Sequence, residues 1–448
     1  MLHHDIFKAN DIRGVVTGDQ PEWDAAGARV LGAAFVELTG ATEFVLGRDM
    51  RILGRELSWA FADGARRAGA DVIDLGLSST DQLWFASGWL SLPGVQFTAS
   101  HNPSNYNGIK FCLADAKPVP ADFMAKLRDL ADGVSLGAEV TGDYRELDSL
   151  EAYADKLDEL VPQRAERELT VVVDAGNGMA GHTALTALAG RVLDIVGLYL
   201  ELDGTFPNHP ANPLEPENLV DAQRAVVEEE ADLGLVFDGD ADRCFIIDER
   251  GNVVDPSVVT AMIAVAELEK HPGSTIVTNT ITSWCVAEAV EQHGGTIATS
   301  KVGHTHVKAL MAETGAVFGG EHSAHYYFRD FWSADTGMLA ALHVIEMLRE
   351  SEQPLSALAA VYDGYARSGE INSTVDNAQA CIDRVAAAFD GRGEADLGDG
   401  LTVRNREEGW WINLRPSNTE PLLRLNVEAG DDDTMAALRD EVLNLVRG

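Results

Sequence analysis

The chain has 448 residues, of which 34 are Lys or Arg and 72 are Asp or Glu, and its formal net charge is −38. At about 150 residues per domain, this length predicts roughly three or four domains. The strong negative charge opposes binding to nucleic acid and to anionic membrane surfaces. An anionic substrate would therefore need the few cationic residues to converge on one site.

The N-terminus and the cysteines predict a cytoplasmic protein. The opening stretch MLHHDIFKAND lacks a positively charged region followed by an apolar one, and no stretch reaches about 18 uninterrupted apolar residues. The cysteines show no CxxC spacing and lie mostly among apolar residues; they are Cys112, Cys244, Cys285 and Cys381. We therefore expect buried, reduced thiols in a protein that has no Sec-type signal and no membrane partner.

Strand, turn and helix patterns alternate along most of the chain. Apolar residues fall at helical spacing over 24–38, a short buried strand pattern covers 43–49, and a helical pattern returns over 57–69. The same order recurs at 169–181 and at 274–295. These repeats predict three α/β units of related design.

Breaks near Leu147, Gly251 and Arg367 divide the chain into predicted domains. The predicted domains are residues 1–147, 148–251, 252–367 and 368–448. The last one has a helix pattern, the loop GRGEADLGDG, the strand pattern WWINLR and a final helix from about Asp433. This order predicts a small α+β domain.

The stretch QFTASHNPSNYNGIK, residues 96–110, follows a strand pattern. Ser100 would lie at the carboxyl end of a sheet, where α/β proteins bind ligands, and Pro103 and the residues after it would turn the chain. A serine there can be a nucleophile or a phosphate carrier, and His101 and Lys110 can supply proton transfer and charge neutralisation. Ordinary turn chemistry is the alternative interpretation.

The stretch LGLVFDGDADRCFIIDERG, residues 233–251, places Asp238, Asp240 and Asp242 at alternate positions between two apolar strand patterns. Carboxylates this close repel one another, and a divalent cation is the usual compensation. An EF-hand is excluded, because its loop has glycine where this chain has Arg243 and has helices on both sides. Hard oxygen ligands favour Mg²⁺, and the arginine could bind phosphate bidentately. A solvated acidic turn is the alternative.

The stretch GGEHSAH, residues 319–325, carries polar side chains at alternate positions. In an extended segment Glu321, Ser323 and His325 would point to one face, a combination suited to the vicinal hydroxyls of a sugar. A metal site through His322 and His325 is a rival, although those two would face opposite sides of a strand. A pair of structural histidines is a further alternative.

The stretch WWINLRPSNTEPLLRL, residues 410–425, predicts a strand that delivers Arg415 into a loop between two prolines. Ser417, Asn418 and Thr419 offer hydroxyls, an amide and backbone N–H groups, which with the guanidinium could bind a phosphate. An ordinary proline-bounded turn is the alternative.

Together these stretches resemble the α-D-phosphohexomutase family, the phosphomannomutase/phosphoglucomutase enzymes. The resemblance spans nearly the whole chain, in family order: FKANDIRG (7–14), GRDMR (47–51), TASHNP (98–103), NGIK (107–110), DGDADR (238–243), KVGHTHVK (301–308), GEHSAH (320–325) and RPSNTEP (415–421). One chemical motif falls in each predicted domain, which is more specific than any single motif. The resemblance implies three related α/β domains with mixed sheets and a C-terminal α+β domain, similar to the TATA-binding protein, around a central cleft.

The resemblance also implies an isomerase, an intramolecular phosphotransferase that interconverts hexose 1-phosphate and hexose 6-phosphate. Ser100 would be a phosphoserine and, with the three aspartates, a ligand of Mg²⁺. Lys110 would transfer a proton or stabilise charge. The supporting catalytic residues implied are His101, Arg13 and Arg243. The implied substrate-binding residues are His304, Glu321, Ser323 and His325 for the sugar and Arg415, Ser417, Asn418 and Thr419 for its phosphate.

The implied partners are small sugar phosphates, with a hexose 1,6-bisphosphate as activator and intermediate, and we expect a monomer or weak homo-oligomer. Two departures bear on the preferred sugar: Asn10 stands where the family commonly has an aromatic residue, and Ala324 where it usually has glycine. Phosphoglucosamine mutase is the alternative within the family. A metal-dependent sugar phosphatase and a non-catalytic sugar-phosphate-binding protein are alternatives outside it.

Overall fold

The structure is a computed structural model that describes residues 1–416 and 422–448. The chain forms two compact units, one made of residues 1–259 and 323–358 and the other of residues 260–322 and 359–448. Short 3₁₀ helices occur at His4–Ile6, Ala114–Ala116, Pro216–Leu219 and Arg329–Phe331. None of the helices among the described residues is both long enough and apolar enough to cross a membrane.

The N-terminal part of the chain builds a mixed sheet with helices. Its elements are β1 (Ile12–Val15), α1 (Ala25–Thr39), β2 (Glu43–Arg48), α2 (Gly54–Arg67), β3 (Asp71–Leu77), α3 (Thr80–Leu90), β4 (Gly94–Phe97), β5 (Tyr106–Leu113), β6 (Lys117–Pro118), α4 (Phe123–Ala131) and β7 (Tyr144–Glu146). The strand order is β1-β5-β4-β2-β3-β7, with β6 also paired to β5. Strand β2 is parallel to β3 and β4, whereas β5 is antiparallel to β4 and β1.

Helix α1 forms over the predicted segment because Asp24 caps it, accepting a hydrogen bond from the backbone N of Gly27 at 3.0 Å. Helices α1 and α2 approach closely through glycines, since a Cβ on Gly32 would lie 2.0 Å from the Phe61 carbonyl oxygen. Together they cover an apolar core rich in phenylalanine. This packing supports the sheet whose β4 end carries the TASHNP stretch.

The next part of the chain is a second α/β sheet. Its elements are α5 (Leu150–Leu160), β8 (Leu169–Asp174), α6 (Ala180–Ala187), β9 (Leu193–Leu198), α7 (Val220–Glu228), β10 (Leu233–Phe237), β11 (Cys244–Asp248) and β12 (Val253–Val254). The strand order is β12-β11-β10-β8-β9. Strands β10 and β11 form an antiparallel hairpin, while β8 is parallel to β10 and β9. The aspartate stretch therefore joins two strands, as predicted.

The third part of the chain contributes to both compact units. Its elements are α8 (Pro256–Lys270), β13 (Thr275–Asn279), α9 (Trp284–Gln292), β14 (Thr296–Ser300), α10 (His304–Thr314), β15 (Phe318–Gly320), β16 (Tyr326–Phe328), β17 (Ala334–Asp335), α11 (Gly337–Glu350) and α12 (Leu355–Ala360). Strand β13 is parallel to β14 and β15. Strand β16 is antiparallel to β17.

The C-terminal part is α+β, as predicted. Its elements are β18 (Ala366–Arg367), β19 (Ile371–Thr374), α13 (Ala378–Ala388), β20 (Glu394–Asp396), β21 (Leu401–Asn405), β22 (Trp410–Pro416), β23 (Leu422–Ala429) and α14 (Asp432–Arg447). The sheet order is β18-β23-β22-β21-β20, with β19 on β23, and every pairing is antiparallel. The segment GRGEADLGDG, predicted as a loop, contains the short strand β20. The prediction of buried cysteines is confirmed, since all are buried free thiols.

Candidate active site

Ser100 lies directly beyond the carboxyl end of β4, as predicted, and is only 3% exposed. Its backbone is left-handed, with φ 49°, a conformation that residues other than glycine adopt uncommonly. The Ser100 N–H donates to Thr98 Oγ1 at 2.9 Å, and the Ser100 hydroxyl donates to Asp238 Oδ2 at 2.8 Å. Residues 98–106, called the serine loop here, therefore meet the β10–β11 loop, residues 238–243, which is called the aspartate loop. A Cβ on Gly239 would lie 2.5 Å from the Ser100 carbonyl oxygen.

The β10–β11 loop holds three carboxylates together in the interior. Asp238 and Asp240 are 0% exposed and Asp242 is 1% exposed, and each offers one oxygen within 4.8 Å of the others. A solvated acidic turn is incompatible with this burial. Buried like charges require compensation by cations.

Lys110, on β5, supplies part of that compensation. Its ammonium contacts Asp240 Oδ2 at 2.7 Å and Asp242 Oδ2 at 2.5 Å. Burial favours the neutral form of Lys110, but the two carboxylates outweigh burial and raise the pKa of the ammonium. Lys110 is therefore positively charged at neutral pH, which favours charge stabilisation over proton transfer among the two roles predicted for it.

The remaining carboxylate oxygens fit a hard divalent cation. Asp240 Oδ1 and Asp242 Oδ1 are buried and have no hydrogen-bond partner within residues 1–416 and 422–448. Asp238 Oδ2 accepts hydrogen bonds from the Ser100 hydroxyl and the Arg243 guanidinium. Oxygen ligands with a net negative charge are the donor set that Mg²⁺ prefers. The three aspartates thus meet the requirement of the predicted metal site.

Arg243 and His101 complete the surroundings of the Ser100 hydroxyl. Arg243 donates from Nη2 to Asp238 Oδ2 at 2.7 Å and to Ser100 Oγ at 3.2 Å. A guanidinium can only donate, so the 2.7 Å contact between Arg243 Nη2 and His101 Nδ1 assigns the imidazole proton to Nε2. Arg13 donates to Asp11 Oδ2 at 2.8 Å and to Asn102 Oδ1 at 2.7 Å, so its guanidinium reaches the serine loop.

The charges around Ser100 shift several pKa values. Burial raises the pKa of Asp238; the Arg243 guanidinium opposes that shift, and repulsion from Asp242 and Asp240 adds to it. Burial, and then the Arg243 guanidinium, lower the pKa of His101 well below its usual range. Shifts of this kind are typical of functional sites. Because its pKa is lowered, the His101 imidazole is neutral at neutral pH.

Thr80 also holds the aspartate loop, and it was missed from the sequence. Its hydroxyl donates to Asp240 Oδ2 at 2.5 Å, and its backbone N–H donates to the Asp240 carbonyl at 2.9 Å. Thr80 is the first residue of α3, and Ser79 caps that helix. The stretch SSTDQ carried a helix-cap signal, but nothing local links a helix start to a residue so distant in the chain.

The sugar motif adopts a turn where we predicted an extended segment. Residues 322–324 form a turn and a bend, and Ala324 is left-handed with φ 62°. The prediction of an extended segment that places Glu321, Ser323 and His325 on one face by alternation is therefore wrong. Ser323 Oγ and His325 Nδ1 lie 2.9 Å apart. The backbone of His325 bridges to Arg243, and its Nε2 lies 3.6 Å from Asp242 Oδ1. His325 therefore adjoins the aspartate loop.

Glu321 belongs to the other compact unit, together with His304. Glu321 is 2% exposed, and its Oε1 accepts from Asn279 Nδ2 at 3.0 Å and from the Gly303 N–H at 3.1 Å. His304 begins α10 directly after Gly303. Glu321 and the KVGHTHVK stretch are therefore neighbours.

Arg415 lies near the end of β22 in the same unit. Its Nη2 contacts Glu370 Oε2 at 2.6 Å, and Arg424 Nη1 contacts Glu370 Oε1 at 3.1 Å. Two guanidinium groups thus share one carboxylate, which indicates a local preference for an anion. The other residues predicted for the phosphate loop, Ser417, Asn418 and Thr419, lie outside the described residues.

Comparisons with known proteins agree along the full length. Models of phosphoglucomutase/phosphomannomutase alpha/beta/alpha domains I, II and III match residues 4–136, 151–251 and 255–365, and the model of the C-terminal domain matches 370–445. A phosphomannomutase from Salmonella montevideo is 39% identical, with 98% of each chain covered. A Xanthomonas campestris protein named phosphohexose mutases is also 39% identical, with 99% of each chain covered.

A solved structure is similar as well. The crystal structure of a phosphoglucomutase/phosphomannomutase family protein from Burkholderia thailandensis aligns with a TM-score of 0.89 at 33% identity. It covers 99% of this chain, and the alignment includes 98% of that one. These matches confirm the predicted fold class of α/β domains followed by a distinct C-terminal domain.

Proposed function

Because this chain belongs to the phosphoglucomutase/phosphomannomutase family, we propose that Ser100 carries the phosphate that it transfers. The protein is a phosphohexomutase, an isomerase that interconverts hexose 1-phosphate and hexose 6-phosphate. The observation that carries the proposal is the 2.8 Å hydrogen bond from the Ser100 hydroxyl to Asp238 in the buried aspartate loop. A hydroxyl placed among these charged groups is suited to phosphoryl transfer.

The aspartate loop would hold Mg²⁺ through Asp238, Asp240 and Asp242, with the Ser100 phosphate as a further ligand. When bound, the metal would offset charge on the transferring phosphate. The buried Asp240 Oδ1 and Asp242 Oδ1 atoms without hydrogen-bond partners among the described residues support this assignment. The Thr80 hydroxyl, which donates to Asp240 Oδ2 at 2.5 Å, would keep the Asp240 carboxylate oriented.

Transfer would move the phosphoryl group from Ser100 Oγ to the free hydroxyl of the sugar, which loses its proton. The result is a hexose 1,6-bisphosphate and an unmodified serine, whose Oγ regains a proton. After the sugar turns over, its other phosphate would return to Ser100 and complete the isomerisation. Arg243, Lys110 and Arg13 would stabilise the negative charge during both transfers, and neutral His101 would keep Arg243 in place.

The substrate would be held by residues of the later motifs. Glu321, Ser323, His325 and His304 would bind the ring hydroxyls, and Arg415 with Ser417, Asn418 and Thr419 would bind the existing phosphate. The paired guanidiniums of Arg415 and Arg424 around Glu370 support anion binding there. We also propose domain boundaries near residues 147, 251 and 367, and a cytoplasmic enzyme that acts on free sugar phosphates as a monomer or weak homo-oligomer.

A coupled assay tests the activity. Wild type should convert the 1-phosphates of mannose and glucose faster than that of glucosamine, with a 1,6-bisphosphate activator and Mg²⁺, and EDTA should abolish turnover. Ser100→Ala should lose at least about 10³-fold in turnover because the phosphate has no acceptor. Ser104→Ala, in the same loop, is the matched control and should behave as wild type. Release of inorganic phosphate in place of isomerised sugar would indicate a phosphatase instead.

A further inference from the structure

The Arg51 guanidinium lies beneath the serine loop and binds several of its carbonyls. Nη2 donates to the carbonyls of Ser100 and Asn102, both at 2.6 Å. Nη1 donates to the carbonyls of Pro103 at 2.8 Å and Tyr106 at 3.1 Å. One planar side chain therefore fixes the backbone on both sides of the loop's turn, and this side chain is 0% exposed.

Asp49 balances the buried charge of Arg51. Asp49 Oδ1 accepts from the Arg51 backbone N–H at 2.9 Å, and Asp49 Oδ2 lies 3.3 Å from Arg51 Nε. On the other side of the Ser100 peptide, Thr98 Oγ1 accepts from the Ser100 N–H at 2.9 Å. The Ser100 carbonyl is therefore held by the buried Arg51–Asp49 pair, and the Ser100 N–H is held by Thr98.

A loop from the second sheet covers the face of Arg51. The Phe206 ring centroid lies 5.2 Å from the Arg51 guanidinium carbon, within the range of a cation–π contact. A Cβ on Gly204 would lie 2.8 Å from the Arg51 Cα, so this position requires glycine for close approach. Arg51 therefore lies between the serine loop and the loop at residues 204–206 and contacts both.

We propose that Arg51 is a positioning residue that holds Ser100 in its left-handed conformation and so aims the hydroxyl at Asp238. The inference rests on the proposed role of Ser100 as phosphate carrier. A strained backbone at φ 49° persists only where neighbouring contacts fix it. Arginine is required, because a lysine ammonium lacks the planar fork that serves carbonyls on both sides at once.

This role predicts a specific kinetic signature. Arg51 makes no hydrogen bond to Asp238, Asp240 or Asp242, and among the described residues its guanidinium hydrogen-bonds to backbone carbonyls of the serine loop. Misplacing the Ser100 hydroxyl should therefore slow phosphoryl transfer and leave substrate binding intact. A displacement of about 1 Å in a reacting group costs roughly 100-fold in rate.

The test compares Arg51→Lys with Arg191→Lys. Arg191 is an equally buried arginine, with a side chain 3% exposed, that donates to the Val161 carbonyl at 2.6 Å and to Glu346 at 2.9 Å. For each variant we would measure kcat and KM with glucose 1-phosphate, thermal unfolding, and the rate at which glucose 1,6-bisphosphate phosphorylates Ser100 by peptide mass. We expect Arg51→Lys to lower kcat and the phosphorylation rate about 100-fold, with KM within about twofold of wild type.

Several results would overturn the inference. The first is that Arg51→Lys has the kcat of wild type. The second is that Arg51→Lys and Arg191→Lys are equally stable to heat and Arg51→Lys loses no more kcat than Arg191→Lys does. If Arg51→Lys does not fold, Phe206→Leu decides the matter: kcat should fall about threefold at unchanged KM, and an unchanged kcat refutes the positioning role. If the wild-type protein is phosphorylated at a residue other than Ser100, the proposed function itself is refuted.

Discussion

Replacing Lys110 with methionine should destabilise the protein in the absence of Mg²⁺, and Mg²⁺ should restore part of the lost stability. Lys110 Nζ lies 2.7 Å from Asp240 Oδ2 and 2.5 Å from Asp242 Oδ2, and both aspartates are at most 1% exposed. Methionine keeps most of the volume of the lysine and removes the charge. Without metal, the variant has a buried carboxylate cluster that has lost its ammonium partner and keeps the contact between Arg243 Nη2 and Asp238 Oδ2 at 2.7 Å.

The size of the effect follows from the geometry. Unit charges about 3 Å apart attract by about 5 kcal/mol at an effective dielectric constant of about 20. The variant does not bury an ammonium, and this saving in desolvation offsets part of the lost attraction. The typical net cost of breaking a buried ion pair is about 3–5 kcal/mol. We therefore expect the free energy of unfolding in EDTA to fall by about 3–5 kcal/mol. Mg²⁺ at about 100 times its dissociation constant should return about 2.7 kcal/mol.

Urea unfolding with EDTA and with Mg²⁺ measures both quantities. The matched control is Lys126→Met, which removes an exposed ion pair with Asp122 at 2.6 Å, both side chains being 58% exposed. The control should lose less than about 0.5 kcal/mol in either buffer. A Lys110→Met variant as stable as wild type in EDTA would refute the role of Lys110. A destabilised variant that Mg²⁺ does not rescue would refute the metal assignment.

Three further predictions follow from other residues. Glu321→Ala should lower kcat/KM for mannose and glucose phosphates together, since its expected partners are hydroxyls that both sugars share; selective loss for one sugar in the coupled assay would contradict this. Ala324→Gly should raise the free energy of unfolding by about 0.5 kcal/mol in denaturant titrations, because relief of the left-handed φ of 62° slightly exceeds the greater entropy of unfolded glycine; a destabilised variant would count against it. Burial raises the pKa of Asp81 from 3.8 to about 6. The protonated Asp81 carboxyl therefore contributes fully to the free energy of unfolding below pH 4, and about 3 kcal/mol of that free energy is lost as the pH rises through 6. Asp81→Asn should flatten that part of the stability profile, and an unchanged slope would contradict the shift.

Much of the site could be predicted because its chemistry follows local patterns. Alternate aspartates between two apolar strand patterns indicated the β10–β11 hairpin, and the strand before Ser100 indicated a position at the end of a sheet. Both features depend on spacing within a few residues. Their order along the chain, with Arg415 on a C-terminal strand, then indicated one family.

Other features depended on contacts between distant parts of the chain. Thr80 was missed because its link to Asp240 joins a helix start to a hairpin loop. The turn at residues 322–324 was predicted as extended because alanine rarely adopts a left-handed conformation, and the local pattern gave no sign that Ala324 does so. The division into two compact units could not be predicted either, because each unit combines two segments that are distant in the chain. Sequence patterns indicated only boundaries between consecutive segments.

The location of the phosphate tests the central claim most directly. Wild type is incubated with glucose 1,6-bisphosphate, digested and mapped by mass spectrometry, with Ser100→Ala treated in parallel. We predict a single phosphorylated peptide in wild type, with the phosphate on Ser100, and no phosphorylated peptide in the variant. A phosphate on any other residue, or full mutase turnover by Ser100→Ala, would contradict the account.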